Sequence, residues 1–333
     1  WRGLRSRPRA TLARRLCLGR GLGTIAGHLG FRCFQFTGSC YRAVPANASL
    51  SSKMSDSTLQ PPQRPAPPAR PRRAPNGLFR MVRTVAALIL REIATTYGRS
   101  PGGYVWALAD PILGIALLTL VFQHAMGNTN PLLGSSFPLF YASGYLPFQM
   151  YHDISNKTAQ SLRFSRPLLA YPAVTFVDAL IARLVLNTVL HVIVFTVLIG
   201  GIALIQGIPL VMNVGTVLHA LGLATLLGAG VGTMNCFLMM RFPVWERAWS
   251  ILSRPLFLMS GIFYTYELMP KVVQDVLWWN PVLHLVGLMR RGIYVVYPAD
   301  YVSESYVVTL SLGLLVGGLL LIWRRYRDLL ELG

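Results

Sequence analysis

Six apolar stretches divide residues 104–323, and lysine and arginine crowd into alternate gaps between them. Counted from residue 81, the flanks and gaps of one set hold 13 Lys and Arg, while the other set holds 3, Lys271, Arg290 and Arg291. Basic residues close to a span are retained on the inner face of a membrane. The alternation therefore predicts a polytopic membrane protein with both ends on one side, the cytoplasmic one, and any function of the chain acts in or across a bilayer.

Composition agrees, with 53% hydrophobic and 13% charged residues over 333, far more apolar than a soluble domain of this length needs. The net charge of +19 looks at first like a nucleic-acid signature, but 15 of the 31 Lys and Arg precede residue 81, against one acid there, Asp56. That Arg-rich stretch has three readings: an organellar presequence, a nucleic-acid arm, or translated upstream sequence with the start at Met54. We expect residues 1–53 to be a leader outside the working protein, 54–81 a disordered Pro/Arg-rich cytoplasmic tail, and 82–333 the transmembrane domain, with no nucleic-acid partner. Three of the four cysteines, Cys17, Cys33 and Cys40, lie in the leader and Cys236 lies in an apolar span. Neither a disulfide framework nor a metal knuckle is available, and no metal site is expected.

The fold class that follows is an all-α integral membrane protein with six transmembrane helices. Residues 82–97, VRTVAALILREIATTY, place Val82, Ala86, Ile89 and Ile93 at helical spacing with Arg83, Thr84, Arg91 and Thr95 on the other side, the pattern of an amphipathic helix. Its 16 residues reach about 24 Å at ~1.5 Å each, so it is expected along the interface rather than through the membrane. The spans are expected at about 104–126, 137–154, 184–205, 214–240, 255–266 (extended backwards from Pro255 to Trp249) and 306–323. Residues 267–305 are too apolar for an aqueous loop and too interrupted for a span. The Asn280-Pro281 break predicts two half-helices re-entering from the outer face, where irregular backbone is tolerated only if buried in protein or lining a cavity.

The chemistry is defined largely by what is missing. The three lysines, Lys53, Lys157 and Lys271, follow Ser52, Asn156 and Pro270, whereas a phosphate-cradling GxxxxGK[ST] loop needs Gly there. The chain is not its own P-loop ATPase. Asp110, His124, His191 and His219 are ionisable groups within or near spans, where such groups are functional candidates. His191 and His219 have no carboxylate beside them in sequence, and both a packing role and that of a base in an intramembrane glycosyl- or acyltransferase stay open. Tyr264, Tyr266, Trp278, Trp279, Tyr294, Tyr297 and Tyr301 gather toward the outer face. They fit an interfacial aromatic belt or a stacking surface for sugar rings. The amphipathic helix and the segment RFSRPLLAY at 163–171 read as handles for a cytoplasmic partner.

Two passages carry a family resemblance. LILREIATTYGRSPGGYVWALADPILGIALLTLVF, with its Arg-Glu, Tyr-Gly-Arg-Ser, Gly-Tyr-x-Trp and acidic-Pro landmarks, resembles the start of the membrane subunits of ABC-2-type polysaccharide exporters. GIFYTYELMPKVVQDVLWWNPVLHLVGLMRRGIYVVY resembles the outer re-entrant region of the capsular-polysaccharide branch. Gly287 departs from the pattern, in which an acid precedes the arginines, so the resemblance carries over no ion pair to Arg290 or Arg291.

The resemblance implies the permease subunit of an ATP-driven exporter of capsular, lipid-linked or lipid-primed polysaccharide in the bacterial inner membrane. O-antigen or another surface glycan is the alternative cargo. Two copies of the chain would form the path and two copies of a P-loop ATPase would dock beneath, bringing ATP and Mg; this chain would hold no cofactor. Periplasmic and outer-membrane export proteins are further implied partners. By matching position, Arg91, Glu92 and Arg99 would contact the ATPase, as would Arg163, Phe164 and Arg166. Trp106, Tyr145, Tyr264, Tyr266, Trp278 and Trp279 would be candidates for the glycan path.

Overall fold

The computed structural model describes residues 77–331 except 98–102, 126–130, 135, 170–173, 210 and 295. The expected leader, most of the expected tail and Arg99 lie outside the described residues. Every regular element among those described is helical: α1 (Gly77–Glu92), continued by a π-helical turn (Ile93–Tyr97), α2 (Gly103–Ala125), α3 (Phe137–Ala159), α4 (Ser161–Leu169) and α5 (Phe176–Gln206), then α6 (Val214–Arg241), α7 (Val244–Leu258), α8 (Lys271–Leu277), α9 (Pro281–Ile293) and α10 (Glu304–Glu331). Four of these helices are long and apolar enough to cross a bilayer, at Val105–Ala125, Phe176–Gln206, Val214–Arg241 and Glu304–Tyr326.

The helix starts are written in short polar residues. Ser136, Thr175, Asn213 and Asn280 each accept a backbone N–H from two or three residues on, satisfying donors that a helix N-terminus leaves open. Thr175 and Asp178 form a reciprocal capping box, which sets the register of α5 and so the position of everything along it.

The core is a layer of α3, α6 and α10, with α9 packed on α3 and α6. Small residues make it possible. A Cβ built at Gly232 would stand 2.7 Å from the Ser155 carbonyl oxygen, one at Gly318 would stand 2.8 Å from the Met234 nitrogen, and one at Gly230 would collide with the Ser311 carbonyl oxygen. Backbones that approach this closely pack through dispersion contacts. Helix α3 is long enough to cross a bilayer but carries Gln149, His152, Asp153, Asn156 and Lys157, and it is enclosed by its neighbours over most of its length.

Two element boundaries differ from those expected. Helix α1 begins at Gly77 and packs against α5 through Leu88 and Glu92, while Val82 and Leu90 on the apolar side remain exposed. The fifth helix is Val244–Leu258, starting and ending earlier than the expected 249–266, and Pro255 lies inside it. Its 15 residues span about 22 Å at ~1.5 Å each. It stops because Gly261 takes a left-handed turn (φ 78°) and the carbonyls of Ile262 and Tyr264 accept hydrogen bonds from Arg290 instead of from a following turn of helix. The expected break at Asn280-Pro281 is present, between α8 and α9.

Candidate functional site

At the end of the bundle where α1, α4 and the start of α5 meet, the side chains converge on Arg183. Its Nε lies 3.0 Å from Glu92 Oε1, its Nη1 donates to the Lys157 carbonyl at 2.9 Å, and its guanidinium carbon stands 4.3 Å from the centre of the Phe164 ring. Arg91 approaches the same ring at 5.5 Å. Helix α4 is amphipathic, burying Ser161, Leu162, Ser165 and Leu169 and exposing Arg163 and Phe164. Arg163 reaches across to Glu246 on α7 at 3.1 Å, and Arg166 lies half-buried on the same helix. The sequence-predicted docking residues Arg91, Glu92 and Phe164 are thus brought together around Arg183. Asp178 is occupied by its cap.

Further along α5 lies a cavity of about 330 Å³ between α2, α3 and α5, lined by Trp106, Asp110, Gln149, Asp153, Lys157 and His191 among others. Gln149 Nε2 donates to Asp110 Oδ2 at 3.3 Å and to Asp153 Oδ2 at 3.4 Å. His191 places Nε2 3.1 Å from Asp153 Oδ2 and Nδ1 2.9 Å from the Asn187 carbonyl. Both ring nitrogens face acceptors, and a neutral imidazole has one N–H. A proton therefore has to sit on the line between Nε2 and Asp153. Asp153 is the residue that sequence reasoning missed. Its relation to Gln149, one helical turn earlier, was recoverable from spacing, whereas its relation to His191, 38 residues on, was not. His219 pairs at 3.6 Å with Glu304 on an exposed surface, away from this cavity's lining.

Tyr145 lines a second cavity, of about 570 Å³ between α3 and α7, together with Phe148, His152, Arg254 and Phe257. Trp106 lines the first while remaining largely exposed. The other four glycan-path candidates line neither of these cavities. Tyr266 stacks on Tyr301 at 4.2 Å, Trp278 stacks on Tyr306 at 5.3 Å and donates its indole N–H to the Tyr301 carbonyl, and Tyr264 supplies a carbonyl to Arg290. Trp279 is 68% exposed. His284 donates from Nε2 to the Trp278 carbonyl and accepts at Nδ1 from the Ser303 N–H, which assigns its tautomer. In the loop between α9 and α10, burial pushes the Tyr301 hydroxyl up to about 12. Tyr297, which donates to Glu267 at 2.9 Å, is also raised by burial first and by Tyr301 and Glu267 second.

A helical bundle with several helices able to cross a bilayer and polar side chains gathered inside it defines a multi-pass membrane protein. The chain belongs to the ABC-2 type transporter family, whose model matches residues 83–294. It is 31% identical over 238 residues to the polysialic acid transport protein KpsM of Escherichia coli, covering 72% of this chain and 92% of that one. It is 26% identical over 243 residues to the capsule polysaccharide export inner-membrane protein CtrC of Neisseria meningitidis (73% and 91%). The figure is also 26%, over 240 residues, for the capsule polysaccharide export inner-membrane protein BexB of Haemophilus influenzae (72% and 90%).

Proposed function

We propose that the chain is the permease subunit of an ATP-driven exporter that moves capsular polysaccharide, lipid-linked or lipid-primed, across the bacterial inner membrane. The observation that carries this reading is the match to relatives named for capsule polysaccharide export along nearly their whole length. Six crossings are proposed: the four long apolar helices, α3, whose polar residues are screened by its neighbours, and α7 continued by the turns at 259–265. Helices α8 and α9 form the re-entrant pair on the outer face, and both ends of the chain are cytoplasmic. Two copies of the chain assemble with two copies of a P-loop ATPase, which carries ATP and Mg and performs the hydrolysis.

In this arrangement Arg91, Arg163, Phe164 and Arg166 present the ATPase-facing surface, with Glu92 behind them on Arg183, and Arg99 is a further ATPase contact by its position in the sequence. Nucleotide binding acts by favouring one arrangement of the permease over another, which requires the ATPase to bind the two differently. Trp279 and Trp106, both exposed, and Tyr145 in its cavity are the glycan contacts favoured among the six aromatics. Residues 1–53 are dispensable, and periplasmic and outer-membrane proteins receive the glycan.

The test is deletion and complementation. Loss of the gene abolishes surface capsule, residues 54–333 restore it, and a nucleotide-hydrolysing chain co-purifies with the protein. Loss of O-antigen with capsule intact makes O-antigen the cargo. No change in any surface glycan, with no ATPase recovered, rejects the exporter.

A further inference from the structure

On the exporter reading above, we infer that Arg183 is a positioning residue that ties the ATPase-facing segments to the membrane interior, so that glycan movement depends on it while nucleotide hydrolysis does not. One guanidinium contacts three elements besides its own: Glu92 at the end of α1, the Lys157 carbonyl at the end of α3, and the Phe164 ring on α4. Its side chain is 9% exposed and that of Glu92 12%, whereas the Arg163–Glu246 pair is half exposed. A cation taken this far from water is compensated only while its partners stay in place. Displacing α1 alone leaves a buried charge unpaired and displacing α4 alone strips the aromatic face from it, so α1, α4 and the start of α5 are constrained to move together.

Two further observations give this joint a direction. Glu92 is the last α-helical residue before the π-helical turn at Ile93–Tyr97, and such turns recur at functional sites. Thr95 turns its hydroxyl back onto the Arg91 and Glu92 carbonyls at 2.9 and 3.3 Å, so the change of helix register falls at the residue that grips Arg183. On the far side a hydrogen-bonded line leaves the same arginine. Asn187 Nδ2 donates to the Arg183 carbonyl at 2.7 Å, His191 Nδ1 to the Asn187 carbonyl, and His191 Nε2 meets Asp153, which Gln149 joins to Asp110. The line runs along α5 in steps of one turn and ends on α2 and α3 around the first cavity.

The test uses the full chain purified in complex with its ATPase, with wild type, Arg183→Gln and Arg183→Lys compared for inserted protein, ATPase recovered, ATP hydrolysis and surface glycan. The expected result for Arg183→Gln is hydrolysis within about twofold of wild type and surface glycan down by about tenfold or more, a split that a role in assembly would not produce. Arg183→Lys falls between, because an ammonium keeps the charge opposite Glu92 but lacks the planar fork that also reaches the Lys157 carbonyl and stacks on Phe164. Undiminished glycan in Arg183→Gln overturns the inference. So does a parallel fall of ATPase recovery, hydrolysis and glycan, or the loss of inserted protein in both variants. Failure of the exporter reading itself is visible separately, in a wild-type chain that brings down no ATPase and whose loss changes no glycan.

Discussion

Arg290 holds its guanidinium carbon 4.3 Å from the centre of the Phe140 ring while donating from Nη1 to the Tyr264 carbonyl at 2.8 Å and from Nη2 to the Ile262 carbonyl at 3.0 Å. A buried cation on α9 thereby closes the turn that follows α7 and pins it to α3. Replacing Arg290 by Met leaves a buried and a half-buried carbonyl without donors. The expected loss is about 2–4 kcal/mol, seen as a lower unfolding midpoint in detergent together with new protease cleavage around 259–265. Arg291, which is exposed, tolerates the same change within about 0.5 kcal/mol.

The glycine contacts of α6 make a paired prediction. Gly230→Ala drives a methyl group into the Ser311 carbonyl and is expected to cost about 1–3 kcal/mol, whereas a Cβ at Gly222 has nothing within 4 Å. Gly222→Ala is expected to stay within about 1 kcal/mol of wild type. Thermal unfolding of the two proteins in the same detergent separates them; equal effects would mean that α6 and α10 are not in backbone contact.

Asp153 and Asp110 both accept from Gln149, but only Asp153 also meets His191. Asp153→Ala strands an imidazole nitrogen and is expected to destabilise by about 1–3 kcal/mol. Asp110→Asn, on an exposed position with a 3.3 Å contact, is expected to change stability by less than about 0.5 kcal/mol. A double variant of Asp153 and His191 that is no worse than Asp153→Ala alone confirms that the two act as a pair.

Tyr301 supplies a pH dependence. Its folded value, pushed up to about 12 by burial from the ordinary 10.0, means that the folded state holds the phenol proton more tightly than the unfolded chain. Its contribution to stability is present in full below about pH 10 and is lost as pH rises through about 12. Titration of phenolate absorbance is expected to leave a late-ionising fraction above pH 11, and Tyr301→Phe to shrink that fraction.

The ion pair of Arg163 with Glu246 is half exposed and is expected to contribute no more than about 1 kcal/mol. Arg163→Ala therefore leaves the unfolding midpoint nearly unchanged. A fall in ATPase recovery in that variant then reports docking rather than damage to the permease.

Helix identity and helix ends were legible in the sequence wherever local chemistry decides them. Apolar length marked α2, α5, α6 and α10, and Asn280 before Pro281 marked the start of α9. The fifth helix was displaced because Pro255 reads as a boundary. Its true end depends on Arg290, which lies 32 positions beyond Leu258 and acts through the carbonyls of Ile262 and Tyr264. Gly287 was read as a missing acid, but a Cβ there would collide with the Tyr301 hydroxyl. Arg290 has two carbonyls and the Phe140 ring as partners, so it does not depend on an acid at that position. The pairs Glu92–Arg183 and Asp153–His191 join residues on different helices with no shared periodicity, and only the folded packing brings them together.

The near-contact of backbones across α3, α6 and α10 also bears on where a polymer can travel. A hydrated sugar chain is wider than any gap left between helices whose main chains touch, and prising them apart would sacrifice the layer that holds the protomer together. A conduit cannot then be bored through the middle of one chain. In the proposed two-copy assembly it is walled by outward faces such as those of α2 and α7, and its bore is set by how far two such walls stand apart.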